Sequence, residues 1–308
     1  MARTRFPADL GLSSRMLLTM FLLGLLYVVF IGALVAILGR NSLPLVLLIA
    51  GGFLFFQYFF SDRIALFAMR GQEVSPQQAP ELHQLIDRLC ALADMPKPRV
   101  AISDSDIPNA FATGRNQKHA VVCVTTGILR RLSEPELEAV LSHELSHVAH
   151  RDVAVMTIAS FLGILAGLVV RYSFYAGAFG GGWGRSNDNR DNTGMVILLV
   201  VLASAVVYAL SFLLTRALSR YRELSADRAG AILIGRPSTL ASALVKVSGD
   251  MARIPTRDLR AAEPLNAFFF APALAPGFSF SSLFATHPPL ERRLEQLARL
   301  EAQLGRQA

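Results

Sequence analysis

Two histidines four residues apart, His143 and His147, flank a carboxylate at Glu144 and two spacers, Leu145 and Ser146. On a helix, positions four apart share a face, so both imidazoles can reach one ion while Glu144 projects to the side. The set predicts a zinc site with hydrolytic chemistry. Zinc brings the pKa of a bound water toward neutrality, and a carboxylate beside it takes the proton as the water attacks a peptide carbonyl. The competing reading is two surface histidines on an ordinary helix. Context favours the metal. Ser133 and Glu136 have capping-box spacing with Pro135 in the first turn, and Leu137, Val140, Leu141, Leu145 and Val148 recur at helical spacing.

A catalytic zinc takes three protein ligands and keeps one position open. The third must come from elsewhere, and the best candidate is Glu223, within Arg220-Tyr221-Arg222-Glu223-Leu224-Ser225-Ala226-Asp227. Read as a helix, this stretch puts Glu223 and Asp227 on one side. One carboxylate can bind the metal. The other can accept a hydrogen bond from the second ring nitrogen of a ligand histidine, with His143 the first choice, and so fix its tautomer. The bland alternative pairs both acids with Arg220, Arg222 and Arg228 on a solvated face.

These segments, together with Pro108-Asn109-Ala110-Phe111-Ala112-Thr113-Gly114 and Thr286-His287-Pro288-Pro289, run in an order that resembles the HtpX heat-shock membrane proteases of the M48 metallopeptidases. The resemblance covers nearly the whole chain. It implies His143, His147 and Glu223 as ligands of one zinc ion per chain, Glu144 as general base, and Asp227 as the carboxylate behind a ligand. It also implies that Asn109, Ala110, Phe111 and Ala112 belong to a strand beside the cleft, where an extended substrate could pair through its backbone. Membership further implies a stress-response role in a bacterial inner membrane, with damaged or misassembled membrane proteins as substrates.

The elements that must position these residues are partly membrane-bound. Of 308 residues, 53% are hydrophobic, and the mean hydropathy is +0.43, more apolar than an ordinary soluble domain. Met16 to Leu38 lacks charge and exceeds the length needed to cross a bilayer, and Pro44 to Phe60 is a second uncharged run. Val153 to Val170 and Gly194 to Thr215 form a further pair, readable as spans or as core helices of the protease domain. A Gly-rich polar stretch from Gly180 to Asn192 separates them.

Arginines at the span ends (Arg3, Arg5, Arg15, Arg63, Arg70, Arg151, Arg216, Arg220, Arg222) predict cytoplasmic termini and a cytoplasmic catalytic domain. The net charge of +7 is carried beside apolar spans, which points to anionic lipid and topology control, with no nucleic acid as partner. Cys90 and Cys123 lack paired spacing, so no disulfide framework is expected.

In the polar stretches, Glu81 to Ala93 reads as a helix, Arg99 to Ile102, Asn109 to Gly114 and His119 to Thr125 as strands, and Ser238 to Val247 as a helix. Leu290, Leu294, Leu297 and Leu300 mark a final amphipathic helix. The helix of the metal motif is expected to continue through His150, Arg151 and Asp152 toward the third apolar run. The fold class is therefore α+β and mainly helical: a zincin-like metalloprotease domain with transmembrane helices. Residues 1–62 read as an N-terminal membrane hairpin and 63–152 as the first part of the zincin domain. Residues 153–215 read as the second membrane pair, and 216–308 as the rest of the domain, with the third ligand.

Other residues leave alternatives open. His287 either faces the cleft, stabilising the oxyanion, or caps a helix beneath it. Arg220 is a candidate for holding the substrate carbonyl. His150 shares the face of His143, but a fourth ligand would close the open position, so a structural role is expected. Phe268, Phe269 and Phe270 line a pocket or pack the core. Three functions fit: a membrane-anchored zinc endopeptidase acting on polypeptides, a processing protease for prenylated tails, and a non-catalytic membrane scaffold with a structural zinc. A set of two imidazoles and one acid, with a carboxylate placed for base chemistry, favours the first.

Overall fold

The computed structural model of the chain describes residues 5–179, 193–253 and 287–306. The Gly-rich stretch, Phe268 to Phe270 and Thr286 lie outside them. The chain divides into two compact units. The first comprises residues up to Ser13, Phe59–Ala154 and the residues from Leu218 onward, and the second comprises Ser14–Tyr58 and Val155–Ala217.

The second unit is helical. It draws on α1 (Leu10–Leu38), α2 (Leu43–Phe59), α7 (Asp152–Phe179) and α8 (Thr193–Ile234). Leu23, Phe30, Ala159, Ala166 and Val207 form its buried centre. Its outer faces carry exposed Leu17, Phe21, Val28, Leu48 and Val206. Such a surface is untenable in water and natural in hydrocarbon. Leu10–Leu38, Arg40–Phe59 and Met195–Ile234 are each long and apolar enough to cross a membrane, and α7 adds a fourth such span when taken with the helix before it. Inside this unit the Gln57 amide donates to the Thr157 carbonyl at 2.9 Å and to Ser160 Oγ at 3.2 Å.

The first unit is built on a four-stranded sheet of order β1-β2-β4-β3. Its strands are β1 (Gly71–Glu73), β2 (Arg99–Ser103), β3 (Ala110–Thr113) and β4 (Val121–Thr125). The central pair β2–β4 is parallel, and the outer pairs are antiparallel. Strand β4 is buried throughout, as its unbroken apolar run requires. Strand β3 is an edge, with Phe111 opposite Cys123 and Ala112 opposite Val122.

Helix α3 (Ser61–Ala68) precedes β1, and α4 (Pro80–Ala93) starts on a proline and ends on Asp94 at φ 52°. Short α5 (Thr126–Arg131) leads to α6 (Glu134–His150), whose capping box between Ser133 and Glu136 is formed. Helix α6 is buried nearly all round, against β3, α4 and α9 (Pro237–Arg253). Helix α10 (Leu290–Leu304) packs on α9 through Leu297 and Leu300.

The expected continuation of α6 is corrected. The helix ends at His150, Arg151 takes a left-handed conformation at φ 57°, and α7 starts afresh at Asp152. Neither glycine nor proline marks the break.

Candidate metal centre

His143 and His147 face one another on α6, with their Nε2 atoms 3.2 Å apart. The carboxylate of Glu223, from the C-terminal part of α8, closes the third side. Its Oε2 is 3.5 Å from His143 Nε2, and its Oε1 is 3.5 Å from His147 Nε2. All three residues are buried. The other nitrogen of each ring meets an acid: His143 Nδ1 lies 2.9 Å from Asp227 Oδ1, and His147 Nδ1 lies 2.8 Å from Asp152 Oδ2. A neutral imidazole that donates from Nδ1 keeps a lone pair on Nε2. Two lone pairs and a carboxylate therefore converge on one point.

With both rings neutral that convergence is repulsive, and either a proton on His143 or a bound cation relieves it. Arms of 2.0–2.1 Å in a tetrahedral zinc site put neighbouring donors about 3.4 Å apart, close to the separations found here. Charge argues the same way. With the histidines neutral, as ligands must be, buried Glu144, Asp152, Glu223 and Asp227 oppose the guanidiniums of Arg222 and Arg293, a formal excess of two negative charges. The residues fit a divalent metal.

Burial pulls His143 down, but the hydrogen bonds to Asp227 and Glu223 outweigh it and hold the imidazole up at about 9. Burial would raise Glu223, yet His287, His143 and His147 keep it well below the usual carboxylate range. Glu144 goes the other way. Burial raises its carboxyl against the pull of both histidines. Its Oε2 accepts a hydrogen bond from the backbone N–H of Ala112 at 2.9 Å. Because Phe111 and Thr113 turn toward β4 in the antiparallel ladder, the Ala112 N–H points off the edge, toward α6.

Of the sequence candidates, His143, His147, Glu223, Asp227, Glu144 and Ala112 are brought together. His287 joins them, with Nδ1 3.1 Å from Glu223 Oε2. Asn109, Ala110 and Phe111 are buried in the sheet, and the Asn109 carbonyl accepts from Thr125 N–H at 2.9 Å. The arginine on Glu223 is Arg222, with Nη2 at 3.2 Å, while Arg220 is half-buried. His150 turns away, its Nε2 donating to the Pro7 carbonyl at 3.1 Å.

Sequence reasoning missed Asp152, Arg222 as a site residue, Arg293 and Gly230. Arg293 holds Asp227 with two hydrogen bonds, at 2.7 and 2.6 Å. Gly230 lets α8 lie directly on α6: a Cβ there would meet His143 N at 2.9 Å. The only sequence signal for it is a glycine inside the small-residue run Ala229-Gly230-Ala231. A small pocket opens beside His147 at the end of β3, lined by Thr113, Gly114, Arg115 and Arg151 among others.

The profile of Peptidase family M48 matches residues 76–301, most of the chain and all of these residues. The chain belongs to this family. Among curated M48-type relatives, Protease HtpX homolog 1 of Streptomyces coelicolor is 60% identical over 98% of this chain and 97% of its own. A Protease HtpX homolog of Moorella thermoacetica is 56% identical over 98% of each. The crystal structure of S. mikatae Ste24p shares the fold seen here, at a TM-score of 0.51 and 18% identity, covering 94% of this chain and 67% of that one. The chain is therefore a metalloprotease that hydrolyses peptide bonds, and a multi-pass membrane protein.

Proposed function

We propose that this M48 protease is a zinc endopeptidase in which His143, His147 and Glu223 hold the ion and Glu144 is the general base. The observation that carries the reading is the meeting of three buried donors at 3.2 to 3.5 Å, with the Glu144 carboxylate fixed by the β3 edge. When bound, zinc polarises the scissile carbonyl and acidifies water. The chain does the rest. Asp152 and Asp227 orient the imidazoles. Glu144 takes the proton of the attacking water and passes it to the leaving nitrogen. Its burial, which raises its affinity for a proton, suits that shuttle. His287, reaching Glu223 from the start of α10, is suited to the carbonyl oxygen. The Ala112 N–H of β3 is taken by Glu144, and the outward Ala112 carbonyl on the same edge can accept from an extended chain whatever its side chains.

Such backbone-led recognition supports damaged or misfolded membrane proteins as substrates, as does similarity to proteins named HtpX homologs. The prenylated-tail reading is not preferred, because the curated relatives that match nearly the whole chain are named HtpX homologs. The arginine distribution supports cytoplasmic termini and protease unit in a bacterial inner membrane, with 153–170 and 194–215 as spans and the four-segment order of domains given above.

The test compares zinc content and casein cleavage of detergent-purified wild type and Glu144→Gln. The variant should keep its zinc and lose at least about 100-fold in rate. Proteolysis at the wild-type rate would overturn the mechanism, and His143→Ala that retains zinc would overturn the ligand set.

A further inference from the structure

Helix α3 follows the second span with a single residue, Phe60, between them. It has two opposed faces. Asp62, Ala65, Leu66 and, at the C-cap, Met69 are buried against the sheet. The Asp62 carboxylate pairs with Arg99 there, and the Met69 carbonyl accepts from Ser103. On the far side Phe60, Ile64 and Phe67 fall at positions i, i+4 and i+7, one stripe of a helix.

That stripe faces outward. Phe67 is 88% exposed and Ile64 40%. Among the described residues of the protease unit, the other large apolar side chains open to this degree are Leu10 and Phe59, in candidate spans, and the isolated Leu92 and Val245. Phe67 is more exposed than any of them. A water-facing helix would not place its most apolar pair there.

Three observations say what covers this face. The first is continuity: α2 is long and apolar enough to cross a membrane, and α3 starts where it stops. The apolar stripe is thus covalently held within about a helical turn of the bilayer boundary. The second is charge. Exposed Arg63 and Arg70 flank the stripe, as expected of a helix lying among anionic headgroups. The third is aromatic anchoring. The Arg63 guanidinium sits 5.6 Å from the Phe60 ring. Arg115, from the β3–β4 connection, lies 5.3 Å from the Phe59 ring and donates to the Phe59 carbonyl at 3.1 Å. Cation and ring together suit the boundary between hydrocarbon and water.

We propose that α3 is an interfacial helix. Its Ile64–Phe67 face lies in the bilayer surface, Arg63 and Arg70 sit at the level of the lipid phosphates, and its other face carries the sheet. The sheet that ends in β3 is then tied to the membrane plane through β1 and β2. This goes beyond the catalytic reading and stands or falls independently of it.

The test uses the full chain in vesicles of phosphatidylcholine and phosphatidylglycerol. With the single tryptophan, Trp183, replaced by phenylalanine, Phe67→Trp puts an indole on the stripe without touching the core. Leu92→Trp is the control on α4. Phosphatidylcholine brominated near the headgroup end of its acyl chains should quench the Phe67→Trp indole. Aqueous acrylamide should quench it several-fold less, on the order of 3–5-fold, than the control. Acrylamide quenching equal to the control, with no effect of bromolipid, overturns the proposal. Protection from both quenchers also overturns it, because a protein surface would then cover the face.

Discussion

His147 Nδ1 lies 2.8 Å from Oδ2 of Asp152, a residue that an unbroken helix would have carried away from it. Five residues of regular helix rotate a side chain by about 140° from its starting face. The left-handed Arg151 between them undoes that rotation and returns the acid to the imidazole. Asp152→Ala should therefore weaken zinc binding about 10–100-fold while the fold persists, as read by competition with a chromophoric chelator. Unchanged affinity would mean that the contact does not orient the ring. Arg151→Gly, which relaxes the backbone at φ 57°, should leave affinity intact.

Gly230 makes a different kind of contribution. Its missing side chain lets α8 approach the backbone of His143, where a Cβ would lie 2.9 Å from N and 3.0 Å from Cα. Gly230→Ala should cost about 1–3 kcal/mol by overpacking and lower metal affinity, because Glu223 and Asp227 ride on the displaced helix. Gly249, on α9, has nothing within 4 Å of a Cβ. Gly249→Ala should be neutral or stabilising by up to about 1 kcal/mol. Thermal midpoints of the two variants, beside wild type, give the comparison. Equal midpoints would remove the packing argument.

Arg293 is 1% exposed and grips Asp227 with two hydrogen bonds. Removing it by Arg293→Ala leaves a buried carboxylate with a lost partner, which costs about 3–5 kcal/mol. Arg293→Lys keeps the charge and loses the fork, so its thermal midpoint should fall between those of wild type and alanine. An alanine variant as stable as wild type would show that the pair is dispensable.

Acid stability should follow Glu136. Burial pushes its carboxyl up, but hydrogen bonds from Lys246, Ser242 and Ser133 prevail and hold it at about 2. A depressed folded pKa gives stability that is complete above the unfolded value near 4.5 and lost as pH falls toward 2. Glu136→Gln should thus lose about 1–2 kcal/mol at pH 7, a figure kept below the full shift because water screens the half-exposed Lys246. Near pH 2 it should match wild type. Unfolding curves that differ by the same amount at both pH values would refute the linkage.

Much of this architecture was legible in the chain because its signals are local. Hydropathy marked the apolar helices, the capping residues of α6 announced its start, and alternating or continuous apolar runs marked β2 and β4. The His143–His147 pair needs only one turn of helix to be recognised. Glu223 is eighty residues away by its number, yet its four-residue spacing to Asp227 singled it out, and the structure brings its carboxylate to both rings. What stayed hidden depends on burial or on a break without sequence punctuation. Arg222 and Arg293 look like surface charges until packing encloses them. Asp152 meets His147 only because Arg151 adopts a conformation that nothing in Ala149-His150-Arg151-Asp152 foretells. Gly230 matters through the distance between two helices, which no single segment encodes.

Because α7 and most of α8 lie between the two imidazoles and Glu223 in the chain, the centre is completed late in synthesis. A nascent polypeptide halted after α7 carries His143, His147 and Asp152 without the third donor, and Arg293 emerges later still. On the proposed ligand set, that half-made chain holds only two of the three donors for its ion.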